Sequence, residues 1–249
     1  MILSEESNGV LTLTLNRPEV MNALNAPLRA ALLSAIRGAS ARVIVLTGAG
    51  RGFCAGQDLA EVDPATVDLE AILTEQYEPL IAAIAEAPMP VIAAVNGVAA
   101  GAGANLALAC DVVVAAESAK FVQAFTRIGL VPDAGGSWLL PRQIGLARAM
   151  GAMLFAEGIP ARQAADWGMI YEVVPDAGFA AHWRNRAETI AKGPALAFRE
   201  TKRLLRGSFG RTLAEQMAAE AAAQAQCGAS GDFREAVAAF LEKRPAVFR

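Results

Sequence analysis

Twice in its first half the chain reads as a short apolar strand, a glycine-rich loop and then a helix. Arg42 to Thr47 (R-V-I-V-L-T) enters G-A-G-R-G-F-C-A-G-Q-D-L, and Val91 to Val95 (V-I-A-A-V) enters N-G-V-A-A-G-A-G-A followed by the helix-like N-L-A-L-A. Apolar runs of this length, bounded by turn residues, read as buried strands. Other segments extend the alternation. Leu11, Leu13 and Leu15 alternate with Thr12 and Thr14 as a half-buried strand closed by Asn16-Arg17-Pro18. Asn25 can cap a helix with Pro27 in its first turn and Leu28, Leu32 and Ile36 on one face. Asp68 can cap a second helix, its inward face Leu69, Ile72, Leu73, Gln76, Leu80 and Ile84, kinked by Pro79. Further strands are expected at Asp111 to Ala116, Lys120 to Gln123 and Ile170 to Val174. The alternation argues for an α/β core over residues 1–193, with the Ala-rich run of residues 194–249 as a helical appendage and no linker between them.

At 249 residues, 54% hydrophobic and 19% charged, the chain is a packed globular protein rather than a disordered one. A net charge of -3 removes the uniform basic field that nucleic-acid binding relies on. Cys54, Cys110 and Cys227 form no C-x-x-C, and the start M-I-L-S-E-E lacks the features of a secretory signal, so a reducing cytoplasm is the expected setting. Val91 to Ala116 is the most membrane-like stretch and even holds Gly97-x-x-x-Gly101. Its Asn96, Asn105 and Asp111, and the prolines ahead of it, fit strands and turns better than a membrane span.

Glycine loops after strands first suggest phosphate binding. The dinucleotide pattern G-x-G-x-x-G fails at Gly48-Ala49-Gly50-Arg51-Gly52-Phe53, where Phe53 takes the third glycine's place. The phosphate loop G-x-x-x-x-G-K-[ST] fails too, because Gln57-Asp58 stand where Lys and a hydroxyl residue are needed. Two such loops can instead aim backbone N–H groups at one point and stabilise an oxyanion, where loss of one donor typically costs roughly 10²–10³ in rate. Equally, the glycines can serve only tight turns and close strand packing. The pattern alone leaves both open.

L-T-L-N-R-P-E-V-M-N-A-L, F-C-A-G-Q-D-L, V-N-G-V-A-A-G-A-G-A and F-L-E-K-R-P together resemble the enoyl-CoA hydratase/isomerase (crotonase) superfamily over nearly the whole chain. G-A-G-R-G-F-C-A-G-Q-D-L and K-F-V-Q-A-F-T-R-I-G-L-V-P-D-A-G-G-S-W-L-L-P-R resemble most closely its branch acting on ring-1,2-epoxyphenylacetyl-CoA. The resemblance implies a spiral of ββα units, a homotrimer or hexamer assembled through C-terminal helices, and an acyl-CoA substrate. It implies no metal and no cofactor beyond the coenzyme A of the substrate.

By position, the resemblance places the first oxyanion donor on the N–H of Gln57 and the second on that of Ala102, the middle residue of Gly101-Ala102-Gly103. Ala55, Gly56, Gln57, Asp58 and Leu59, with Ala102 and Gly103, would line the CoA site, and Lys243 would approach the CoA phosphates, although an ordinary solvated lysine is an equal reading of Lys243. Hydratases of this family carry two glutamates over the substrate. Here those positions hold Asn105 and Phe125, neither of which can act as a carboxylate base, which argues against efficient water addition. A carboxylate stands instead at Asp133, where the resemblance implies the base of an isomerase. From the residues alone Asp133 can also be a helix cap ahead of Ala134-Gly135-Gly136.

The remaining chemistry-bearing residues have plain readings. His182 is the only histidine, so a histidine triad or histidine metal site has little to build on. Cys54 reads as a small packed residue, Asp58 as a loop-holding acceptor of backbone hydrogen bonds, and Trp138, Trp167 and Phe121 as core. The resulting expectation is an isomerase converting 2-(1,2-epoxy-1,2-dihydrophenyl)acetyl-CoA to oxepin-CoA through an enolate. The alternatives are an enoyl-CoA hydratase or Δ3,Δ2-enoyl-CoA isomerase of fatty-acid oxidation and, in another class, a non-catalytic CoA-binding scaffold.

Overall fold

The computed structural model describes residues 1–248, so residue 249 of the expected appendage lies outside the described residues. Strand β1 (Ile2–Ser7) pairs antiparallel with β2 (Val10–Leu15) across Asn8-Gly9, whose positive φ angles of 53° and 76° suit a tight hairpin turn. The first of these strands carries no sequence signal, because its exposed side chains show no alternation. Helix α1 (Ala26–Arg37) starts as expected: Asn25 Oδ1 accepts from Leu28 N at 3.0 Å, and Leu28, Leu32 and Ile36 are buried.

From β3 onward each unit contributes one strand to each of two sheets, so the segments read as glycine loops each hold a second strand, three residues long and too short to show a pattern of its own. Strands β3 (Val43–Gly48) and β4 (Gly52–Cys54) are followed by α2 (Leu69–Ile72), a π turn at Leu73–Tyr77 and α3 (Glu78–Glu86). Strands β5 (Val91–Val95) and β6 (Val98–Ala100) lead into α4 (Ala102–Ala109), and β7 (Val112–Ala116) and β8 (Lys120–Val122) complete the third unit. Helices α5 (Gly136–Ile144) and α6 (Leu146–Phe155), strand β9 (Gly158–Pro160), helix α7 (Ala161–Asp166), strand β10 (Glu172–Val174) and helix α8 (Phe179–Ala191) finish the spiral. The larger sheet has the order β1-β2-β3-β5-β7-β10 and is parallel from β2 onward; the smaller has the order β4-β6-β8-β9. This is the α/β spiral that the sequence resemblance implies.

Alternate residues of the central strands feed two cores, which is why those strands read as unbroken apolar runs. Ile44, Leu46, Ala93 and Val95 face the main core, while Val43, Val45, Ile92 and Ala94 pack beneath Phe179 and Trp183 of α8. Every residue of α4 is buried, so this helix is apolar all round but for Asn105 and accounts for the membrane-like composition of its region. Among the described residues no helix is long and apolar enough to cross a membrane.

The first glycines of each motif are corners between the two sheets. A Cβ on Gly48 would lie 2.3 Å from Gly52 O, and one on Gly97 would lie 2.1 Å from Arg51 O. Buried Asn22 ties the first corner by donating from Nδ2 to the carbonyls of Ala49, Gly52 and Phe53.

Asp68 caps α2 as expected, its Oδ1 accepting from Ala71 N at 2.9 Å. Pro79 has no N–H for the preceding turn, and the interruption it causes appears as the π turn just ahead of it. Trp138 departs from the core expectation: it is 47% exposed, with the Arg142 guanidinium 4.1 Å over its ring. Helix α5 turns Leu140 and Ile144 inward, and Trp138 lies roughly 200° around the axis from Leu140. Phe121 is fully buried, and Trp167 packs partly buried against the main core.

Three helices follow: α9 (Ala195–Gly207), α10 (Leu213–Gly228) and α11 (Gly231–Glu242). The first docks on the core, where Lys202 pairs with Asp111 and donates to Ile84 O. The other two leave Leu213, Met217, Phe233, Phe240 and Leu241 exposed.

Candidate active site

Strands β4 and β6 end side by side, and the segments leaving them form the candidate site. Gly56, with φ of +91°, packs its bare Cα against the second loop: a Cβ there would meet Ala100 O at 2.7 Å and Ala102 N at 3.3 Å. Only glycine lets the two loops approach so closely. Leu24 brackets the next residue, its N–H donating to Gly56 O (2.7 Å) and its carbonyl accepting from Asp58 N (3.2 Å). The peptides on both sides of Gln57 are therefore held. Its own N–H has no acceptor among the described residues.

Ala102 opens α4, so its N–H belongs to the first turn, where helix amides have no intrahelical partner and the helix dipole favours negative charge. No described residue accepts from it. Gly103 lets the helix press onto β4, since a Cβ there would lie 2.4 Å from Cys54 O. The Cys54 thiol is fully buried, and burial pushes it up to about 12, which makes it an inert packed group.

Asp133 lies in the loop before α5. Its Oδ1 is buried and has no hydrogen-bond partner among the described residues, and burial pushes the carboxyl up to about 6. The carboxylate caps nothing: Gly136 N donates to the main-chain carbonyl of Asp133 at 2.8 Å, and α5 has no side-chain cap. That carbonyl also accepts from Asn105 Nδ2 at 2.8 Å, while Asn105 Oδ1 accepts from Gln123 Nε2 at 2.8 Å. Fully buried Asn105 is thus occupied in holding the Asp133 backbone. Phe125 is buried, its ring 3.8 Å from where a Cβ on Gly101 would stand.

The Gln57 side chain faces inward, its Oε1 accepting from Arg29 Nη1 and Tyr77 Oη, each at 2.8 Å. Burial raises the Tyr77 hydroxyl, opposed by the Arg29 guanidinium beside it. Asp58 is engaged by Arg17 at 2.7 Å and by Ala60 N at 3.1 Å, and the guanidinium holds it below the usual carboxylate range. Ala55 is half-buried and Leu59 is exposed.

The fold therefore brings Ala55 to Leu59, Ala102, Gly103 and Asp133 together. Lys243 stands apart, exposed at the end of α11, where its ammonium makes no hydrogen bond or ion pair among the described residues. Arg29, Tyr77 and Gln123 support the site without any motif that marks them in the sequence. The one signal for Arg29 was a charge set beside Leu28 on the inward face of α1.

The sequence model described as enoyl-CoA hydratase/isomerase matches residues 5–249. A "probable enoyl-CoA hydratase" from Rhodobacter capsulatus is 58% identical over 246 residues, covering 98% of this chain and 96% of the relative. The 1,2-epoxyphenylacetyl-CoA isomerase of Escherichia coli K12 is 48% identical over 255 residues, covering 99% and 97%. The crystal structure of an enoyl-CoA hydratase from Polaromonas superposes with a TM-score of 0.94 at 35% identity, covering 100% of this chain and 99% of that one. By sequence and fold over its length, the chain belongs to the enoyl-CoA hydratase/isomerase family.

Proposed function

We propose that the protein is a cytoplasmic CoA-thioester isomerase that needs no cofactor beyond the coenzyme A of its substrate. Gln57 N–H and Ala102 N–H hold the thioester oxygen as it becomes an enolate oxygen. Asp133 takes a proton from the acyl chain and returns one at another carbon. The observation carrying this reading is the Asp133 carboxylate itself: partly buried, with Oδ1 buried and unpartnered, and shifted to about 6, near the value at which a base works at neutral pH. Asn105 and Phe125 offer no second carboxylate to activate water, which favours isomerisation over hydration.

The substrate proposed is 2-(1,2-epoxy-1,2-dihydrophenyl)acetyl-CoA, rearranged to oxepin-CoA after loss of the acidic proton between ring and thioester. The Escherichia coli isomerase supports this choice. The Rhodobacter relative, named for a hydratase, supports the second reading, an enoyl-CoA hydratase. Incubation with phenylacetyl-CoA in deuterated water and, separately, with crotonyl-CoA separates them. The isomerase reading expects deuterium at the α carbon and little hydration; robust crotonyl-CoA hydration without α exchange would overturn it.

Helices α10 and α11 are proposed to be the assembly element, since Leu213 at 76%, Phe240 at 81% and Leu241 at 73% exposure are covered by nothing in one chain. Light scattering is expected to give a homotrimer or hexamer. A monomer at micromolar concentration would refute the assembly role.

A further inference from the structure

We propose that Arg29 is a positioning residue of the candidate oxyanion site, its buried guanidinium clamping the Gln57 peptide from behind and placing an uncompensated positive charge beneath it. This inference rests on reading the site as one that stabilises an enolate oxygen.

Arg29 is 3% exposed, yet no carboxylate among the described residues pairs with it. Burying a cation without an anion is costly, and a fold that does so satisfies the group with neutral acceptors. Here Nη1 donates to Leu24 O at 2.7 Å and to Gln57 Oε1 at 2.8 Å, while Nε and Nη2 both donate to Gln76 Oε1, at 3.0 and 2.7 Å. The guanidinium carbon also lies 4.9 Å from the centroid of the Tyr77 ring. Asp58 and Glu61, the acids of the loop after Gln57, are engaged elsewhere, Asp58 with Arg17 and Glu61 with Ala26 N.

The contacts converge on one peptide. Leu24 fixes the groups on either side of Gln57, Arg29 fixes Leu24, and the same Nη1 fixes the Gln57 side chain. What is left over is the Gln57 N–H. The π turn at Leu73–Tyr77 contributes to this arrangement by bringing the successive residues Gln76 and Tyr77 both onto Arg29. Such turns recur at functional sites. An immobile cation near the donor acts most strongly when the thioester oxygen becomes negative, and little on the neutral ground state.

The test is α-proton exchange of phenylacetyl-CoA in deuterated water, with kcat and KM measured for the parent and for Arg29→Met, Arg29→Gln and Arg29→Lys, alongside thermal melting. The neutral variants are expected to lose roughly 30–100-fold in kcat with KM within about threefold, and Arg29→Lys to recover most of the loss. Should Arg29→Met fail to fold, the comparison of Lys with Gln decides: at least about tenfold in favour of Lys supports the charge. A folded Arg29→Gln protein with parental kcat, or Lys no better than Gln, overturns the inference while leaving the isomerase reading intact. No exchange by the parent would instead remove the reading on which it rests.

Discussion

Asp133→Asn is expected to lower turnover by roughly 10²–10⁴, the usual worth of a general base, while CoA-thioester affinity changes little. Asparagine keeps the size of the side chain and loses the capacity to take a proton. The same substitution is expected to leave the protein more stable at pH 8. The Asp133 carboxyl titrates at about 6 in the fold and near 3.9 in an unfolded chain, so the folded state binds the proton more tightly. The parent therefore loses stability as pH rises from about 4 to about 6 and stays level above that. Allowing for solvent screening of a side chain that is partly exposed, the loss is about 1 kcal/mol. The variant has no such decline. A helix cap would behave differently: asparagine caps about as well as aspartate, so stability and activity would both stay near the parent's. In the parent, exchange activity should rise with pH and level off above about 6. Parental exchange in the Asn variant, or a drop in its melting temperature at pH 8, would defeat the assignment of Asp133 as the base.

Gly56→Ala is expected to cost roughly 10² in kcat. The added methyl meets Ala100 O at 2.7 Å, a backbone atom that cannot swing aside, so the two loops must separate and the donors lose their common focus. A displacement of about 1 Å is enough to forfeit a factor of this size. Positive φ at this position adds a backbone penalty of about 1–2 kcal/mol. Gly129→Ala provides the control, because it carries a φ of +75° with nothing within 4 Å of the new methyl. Melting curves should show a loss for both proteins, and the exchange assay a loss for Gly56→Ala only. Equal activity in the two variants would show that the contact between the loops has no part in turnover.

Much of the fold was legible because its signals are local. Asn25 and Asp68 cap helices through their own short-range hydrogen bonds, and V-I-V-L and V-I-A-A-V form strands whose two faces must both be covered. Strands β1 and β9 gave no such signal. One is an exposed edge strand without alternation, and the other is three residues long and ends in proline. Trp138 misled for a related reason: its size suggests burial, but which side of α5 meets the core depends on where that helix lands.

The candidate site divides along the same line. By itself the sequence determined which residue types stand where: glycines in two loops after strands, and a carboxylate at Asp133 with none at Asn105 or Phe125. These are properties of residue type and spacing, which travel with the chain; the roles of Gln57, Ala102 and Asp133 are what the family resemblance implies. Only the tertiary structure decided that Gly48 and Gly97 are sheet corners while Gly56 joins the two glycine loops. It alone showed that Asn105 is occupied with the Asp133 backbone, that the Asp133 carboxylate caps no helix, and that Arg29 lies buried without an anion behind Gln57. The reason is physical: burial, unpartnered atoms and convergence of hydrogen bonds arise from residues as far apart in sequence as Arg29, Gln57 and Tyr77, and they exist only once the spiral has closed.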